Sequence, residues 1–149
     1  MPNTPCIFYH GVSAFTLGRS ASRKDGFLVK RLLSALGVAV ELDERLFDVV
    51  TGLSGSGPAY VYLVIKALAD AGFELGIDRK TSLLLAVQTV RGAAELMLKS
   101  GKSPEDLIAD VCSPGGTTVE GLKVLERGKV ADSFRKAVKA AAKRSKELG

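Results

Sequence analysis

The 149-residue sequence predicts a mainly α-helical fold that opens on one or two short strands. Three observations carry that expectation. From residue 43 onward, apolar residues recur at helical spacing. Alternating, β-branched patterning is confined to the first 42 residues. Two glycine-rich breaks, Ser54–Pro58 and Ser113–Thr118, divide the helical part. Hydrophobic residues make up 46 % and charged residues 25 %, enough apolar mass for a packed core and too little charge for a disordered chain. The sequence shows no internal repeat and no low-complexity tract.

The opening through Gly18 is punctuated by Pro and Gly, and Val12, Ala14 and Thr16 alternate with Ser13, Phe15 and Leu17 as in a short strand. Asp25 to Leu36 reads as a helix with Phe27, Leu28, Leu32 and Leu36 on its inward side, closed by Gly37. Val38 to Leu42 is strand-like. Asp43 is the expected N-cap of a helix running to about Val50. Pro58 suits the first turn of the next helix, where its missing N–H costs nothing; that helix is expected to reach Ala71 and to end at Gly72 and Gly76. Lys80 to Lys99 follows, with Gln88, Arg91 and Glu95 as its narrow polar face. Ser103-Pro104-Glu105-Asp106 combines a cap, an N1 proline and first-turn acids. Thr117 and Glu120 match a capping box, which makes Thr117 the expected N-cap of the next helix. The last helix is expected from Val130 to Glu147, with Val130, Phe134, Ala137, Val138 and Ala141 inward and Lys136, Lys139 and Lys143 outward.

Two helices, 58–71 and 80–99, are apolar around most of their circumference and need cover on nearly every side. A chain this short has few elements to supply it. The economical expectation is a second copy, an intertwined homodimer or higher homo-oligomer.

Charge and motifs narrow the function classes. The net charge is +5, and residues 123–149 hold nine Lys/Arg against three Asp/Glu, so the basicity sits in one terminal segment. Phe134 is the only aromatic there, which gives base stacking little support; a solvated helix face is expected rather than a nucleic-acid partner. No apolar run is long enough for a membrane span, and the first residues carry no signal-peptide pattern. Two cysteines, Cys6 and Cys112, suggest neither a disulfide framework nor a zinc site, and no metal is expected; a cytoplasmic, reducing location follows as the default. Gly101-Lys102-Ser103 lacks the first glycine of a phosphate loop, and no G-x-G-x-x-G follows a strand. His10, the single histidine, is expected to be structural or superficial. Glu44, in a first helical turn, complements the helix dipole.

The two glycine-rich turns hold the remaining chemistry. Each feeds a helix start, where unpaired N–H groups and the positive dipole end favour a carboxylate or phosphate, and each is flanked by Ser or Thr hydroxyls.

At these residues a family becomes recognisable. Met1-Pro2-Asn3-Thr4-Pro5, Thr51-Gly52-Leu53-Ser54-Gly55-Ser56-Gly57-Pro58-Ala59-Tyr60, Gln88-Thr89-Val90 and Ser113-Pro114-Gly115-Gly116-Thr117-Thr118, in this order and spacing, closely resemble pyrroline-5-carboxylate reductase along essentially the whole chain. The resemblance implies NADPH- or NADH-dependent reduction of 1-pyrroline-5-carboxylate to L-proline. It implies a helical dimerisation domain of the 6-phosphogluconate-dehydrogenase C-terminal type at 43–149, preceded at 1–42 by the end of a coenzyme domain and a linking helix. The Met-Pro-Asn-Thr-Pro motif normally lies deep inside the family's chains, so this chain looks like the C-terminal portion of a reductase and is expected to be inactive by itself. A catalytically inert helical dimerisation module is the alternative.

By the same resemblance, Glu44, Gly116, Thr117 and Thr118 bind the small-molecule substrate, with Thr118 catalytic through a hydrogen bond to the ring nitrogen. The backbone N–H groups of Gly116, Thr117 and Thr118 would take the carboxylate, and capping would occupy the Thr117 hydroxyl. Asn3, Thr4, Pro5, Asp110 and Val111 fall where the family meets its coenzyme. Asp110 stands one residue after the family's usual Asp position, here Ala109. Ser103 replaces a common His, and Tyr9-His10 replaces a Gly-Glu type pair.

Overall fold

A computed structural model describes all 149 residues. The fold is mainly α. After a 3₁₀ turn at Thr4–Phe8, strand β1 (Gly11–Phe15) leads through α1 (Arg23–Ser34) to β2 (Gly37–Glu41). A 3₁₀ turn at Glu44–Leu46 and α2 (Phe47–Val50) follow. Then come α3 (Gly57–Glu74), α4 (Arg79–Ser100), α5 (Pro104–Asp110), α6 (Thr117–Arg127) and α7 (Val130–Leu148). The chain forms two compact units, Met1–Tyr60 with Ser133–Gly149, and Val61–Asp132. Compactness groups residues 43–60 and most of α7 with the strands.

In the first unit β1 and β2 pair in parallel, Gly11 opposite Gly37 through Phe15 opposite Glu41, with α1 as the crossover. Gly37 has φ +135°, and a Cβ there would strike the Gly11 backbone, so the start of the pair requires glycine. The other edge of β1 is occupied by residues 1–3: Pro2 bridges Ser13, and Asn3 N donates to Val12 O at 3.1 Å. Helix α1 starts two residues earlier than expected because Ser22 and Asp25 form a complete capping box. Its anticipated inward residues Phe27, Leu28 and Leu32 are exposed. A two-stranded sheet is too narrow to cover them, and the residue that buries is Gly26, against Leu17.

The expected break at Ser54–Pro58 is instead a turn of π-helix, Thr51–Gly55, that carries α2 toward α3. Ser56 N donates to Thr51 O at 2.8 Å, and the hydroxyls of Thr51 and Ser54 donate back to Phe47 O and Val50 O. Gly52 is buried in this turn against α7: a Cβ would lie 2.5 Å from Val138 O and 2.9 Å from Ala142 N. Helix α7 half-buries the face that its periodicity marks and makes two hydrogen bonds, Ser145 Oγ to Asp48 Oδ1 at 2.7 Å and Tyr60 OH to Ala137 O at 3.5 Å.

In the second unit α3 runs on through Gly72 to Glu74. Gly72 is a contact point, since a Cβ would meet Ser82 Oγ at 3.0 Å; Gly76, with φ +102°, belongs to the turn after the helix. Asp78 caps α4 through Thr81 N. The buried residues of this part are small: Ala69, Ser82 and Ala86. Larger apolar side chains stay outside, including Leu63 (64 % exposed), Leu84 (65 %) and Leu98 (83 %). Tyr62, Ile65, Ala69, Phe73, Leu83 and Val87 line an apolar cavity of about 600 Å³, with the Lys66–Asp70 ion pair beside it and the Arg79 guanidinium 3.9 Å from the Phe73 ring centroid.

Candidate functional site

The second glycine-rich turn keeps the character its residues suggest. Pro114 and Gly115 occupy its centre, Gly115 has φ +70°, and Gly116 N donates to Ser113 O at 2.9 Å, which is the residue pattern of a type II turn. Gly116 then becomes the N-cap of α6 in an extended conformation, with no side-chain cap. The expectation that Thr117 caps the helix is thereby overturned. Thr117 is the first helical residue, and Glu120, the would-be capping-box partner, pairs with Lys123 at 2.7 Å. The physical reason is the turn itself. It delivers Gly116 already extended at the end of the helix, so the cap position falls one residue early and carries no side chain.

Two consequences follow for anion binding. The Gly116 N–H, expected as a carboxylate donor, is spent on Ser113 O. The free donors are the N–H groups of Thr117, Thr118 and Val119, at the positive end of α6. The Thr117 hydroxyl is not consumed by capping, so the two threonines differ by burial instead: Thr117 is exposed and Thr118 half-buried.

The first glycine-rich turn does not match its expected role. Its π-helical bonds, the Ala59 N bond to Ser56 O at 3.0 Å and the N–H that Pro58 lacks leave it without the row of free donors that an anion site needs.

The remaining site residues divide between the units. Glu44 sits exposed in the first turn of the 3₁₀ segment in the first unit, while Gly116, Thr117 and Thr118 lie in the second. Beside Glu44, Asp43 accepts from the Arg45 side chain at 2.9 and 2.8 Å and from Arg45 N; these bonds and the guanidinium charge hold its carboxyl down at about 2. In the coenzyme set Thr4 is exposed and Val111 is 62 % exposed. Asp110 is engaged by Lys102 Nζ at 2.6 Å, an ion pair that spans α5. Both ends of the Asn3 side-chain amide bond within the chain: Oδ1 accepts from Val12 N at 2.8 Å and Nδ2 donates to Ser54 O at 3.1 Å. Sequence reasoning missed that second bond, although a proline four residues after Ser54 signals a carbonyl without its helical donor. His10 is exposed, and no three His, Cys, Asp or Glu side chains converge as metal ligands. No helix is long and apolar enough to cross a membrane.

A βαβ piece leading into long helices, with an uncapped helix start behind a Ser-Pro-Gly-Gly turn, defines a mainly α-helical domain. The family model described as pyrroline-5-carboxylate reductase dimerisation matches residues 44–148. The chain is 51 % identical over 148 residues to the pyrroline-5-carboxylate reductase of Arabidopsis thaliana, covering 99 % of this chain and 54 % of that protein. It is 44 % identical over 149 residues to that of Methanosarcina acetivorans, covering 100 % and 55 %. Among solved structures, a pyrroline-5-carboxylate reductase from Coxiella burnetii superposes with a TM-score of 0.96 at 38 % identity, covering 100 % of this chain and 56 % of that one. The Plasmodium falciparum pyrroline carboxylate reductase with NADP bound superposes with a TM-score of 0.93 at 37 % identity, covering 100 % and 60 %. The chain belongs to the pyrroline-5-carboxylate reductase family. It spans about half the length of the curated relatives it matches.

Proposed function

We propose that this chain is the dimerising and substrate-binding part of an NADPH- or NADH-dependent oxidoreductase of proline biosynthesis, which reduces 1-pyrroline-5-carboxylate to L-proline. The carrying observation is the start of α6, where a type II turn leaves the Thr117, Thr118 and Val119 N–H groups free beside two hydroxyls not used for capping. A small ring with one carboxylate and one C=N bond suits that arrangement. The carboxylate takes the free N–H groups at the positive helix end, and the half-buried Thr118 hydroxyl bonds the ring nitrogen. Glu44, in the first unit, is a substrate contact by the family resemblance alone. Reduction of a protonated imine adds a hydride at carbon and leaves a neutral amine at nitrogen, so it asks for orientation rather than a strong base.

The coenzyme supplies the hydride when bound. Each unit by itself offers candidate contacts for it: the Thr4 hydroxyl and Pro5 in the first, and in the second the exposed Val111, with Asp110 in its pair with Lys102. They do not fit its diphosphate, because the chain has no glycine loop between a strand and a helix to cradle one.

The apolar residues exposed on α3 and α4 support a homodimer or higher homo-oligomer, the state named by the matching family model. We place the protein in the cytoplasm, with neither nucleic acid nor membrane as partner. The test is coenzyme oxidation with pyrroline-5-carboxylate. A fusion carrying a relative's coenzyme-binding half ahead of Met1 should turn over, and the 149-residue chain alone should not. A folded, oligomeric fusion that binds coenzyme but never reduces the substrate would refute the reading and favour an inert dimerisation module.

A further inference from the structure

We propose that Asn3 is a positioning residue whose amide replaces the hydrogen-bond donor that Pro58 removes from the π-helical turn, clasping the N-terminal segment to that turn. In a continuous helix the Ser54 carbonyl would accept from the N–H four residues on. That residue is Pro58, which has none, and Ala59 N is directed to Ser56 O instead. A half-buried carbonyl left bare is costly, and the bond it receives comes from Asn3 Nδ2, 51 residues away in sequence, at 3.1 Å.

The other end of the same amide fixes its orientation. Val12 N is a donor, so the atom facing it at 2.8 Å must be Oδ1, and the atom facing Ser54 O must be Nδ2. The Asn3 backbone is committed as well, its N–H to Val12 O and its C=O to Cys6 N. Every polar group of Asn3 therefore makes one hydrogen bond within the first unit. Asn3 acts through what it holds. It joins the edge of β1 to the turn that seats α7, and it fixes the path of Thr4 and Pro5 beside it. What Thr4 and Pro5 then touch rests on the function proposed above; the clasp does not.

A double-mutant cycle on this chain tests the proposal, with thermal unfolding at neutral pH and equal protein concentration as the readout. Asn3→Asp keeps the acceptor for Val12 N and loses the donor to Ser54 O. It should lower Tm by about 4–10 °C. Pro58→Ala restores an N–H four residues after Ser54. It should recover at least about half of that loss in the Asn3→Asp background, while changing the otherwise unaltered chain by no more than about 2 °C. Additive effects, or an unchanged Tm in Asn3→Asp, would overturn the proposal. Should Asn3→Asp fail to fold, the unaltered chain still decides. One Asn3 Nδ2 proton should exchange at least about ten-fold more slowly than in a free asparagine amide. Exchange at the free rate overturns the clasp. Neither readout involves reductase activity, so failure of the catalytic reading would leave this result intact.

Discussion

Replacing Gly52 with alanine separates the observed π-helical turn from the loose glycine loop that its sequence suggests. In the structure the added Cβ would lie 2.5 Å from Val138 O, 2.9 Å from Ala142 N and 3.2 Å from Ala142 Cβ. Two of those neighbours are backbone atoms of α7, which has no rotamer to yield; the helix itself must retreat by several tenths of an ångström. That motion also pulls on the Ser145–Asp48 and Tyr60–Ala137 bonds. Overpacking of this kind costs about 1–3 kcal/mol, and a domain of this size loses about 2–4 °C of Tm per kcal/mol, so Tm should drop by about 4–10 °C. Circular dichroism melts of Gly52→Ala and Gly121→Ala give the comparison. Gly121 lies inside α6, and a Cβ there meets nothing within 4 Å, so its alanine variant should melt at the same temperature or up to a few degrees higher. Equal melting of Gly52→Ala and the unaltered chain would refute the seating of α7 on the turn.

Two further outcomes are expected. Asp25, Asp43 and Asp106 all have carboxyls held below the usual range, by Ser22, Arg45 and Ser103 respectively, and Asp43 down to about 2. A depressed folded-state pKa contributes stability above the unfolded value, here near 3.8, that is lost as pH falls toward the folded one. Unfolding midpoints in urea should accordingly decline between about pH 4 and pH 2, and Asp43→Asn should lessen that decline; an unchanged slope in the variant would remove Asp43 from the account. Light scattering at micromolar concentration should give at least twice the 15.7 kDa chain mass; a folded monomer would contradict the proposal that the apolar residues exposed on α3 and α4 meet a second copy.

What the sequence disclosed depended on how local the determining physics was. Helices α4, α5 and α7 were legible because caps and periodicity act over one or two turns: Ser103 with Asp106, and the apolar stripe of α7. The π-helical turn was illegible because Ser54, Gly55 and Gly57 read as loop residues, whereas Asn3 and α7, distant in sequence, hold them in helix. Thr117 failed as a cap for a different reason. The Ser-Pro-Gly-Gly turn fixes the backbone one residue earlier than side-chain preference suggests. Near the candidate site, the place of the helix start behind its glycine-rich turn was readable from Gly and Thr alone. The loss of the Gly116 donor was not, since it depends on the turn's own hydrogen bond.

The central claim, that substrate reacts at the start of α6 with Thr118 on its ring nitrogen, is tested most directly by kcat/KM of the fusion enzyme with Thr118→Ala and Thr117→Ala, each paired with its Tm. Thr118→Ala removes a bond to an atom whose charge changes during the reaction. It should cost about 10²-fold or more in kcat/KM with little change in Tm. Thr117→Ala keeps the backbone N–H, and its exposed hydroxyl caps nothing, so kcat/KM should stay within about three-fold. A larger loss for Thr117→Ala than for Thr118→Ala, or undiminished kcat/KM in both, would contradict the account.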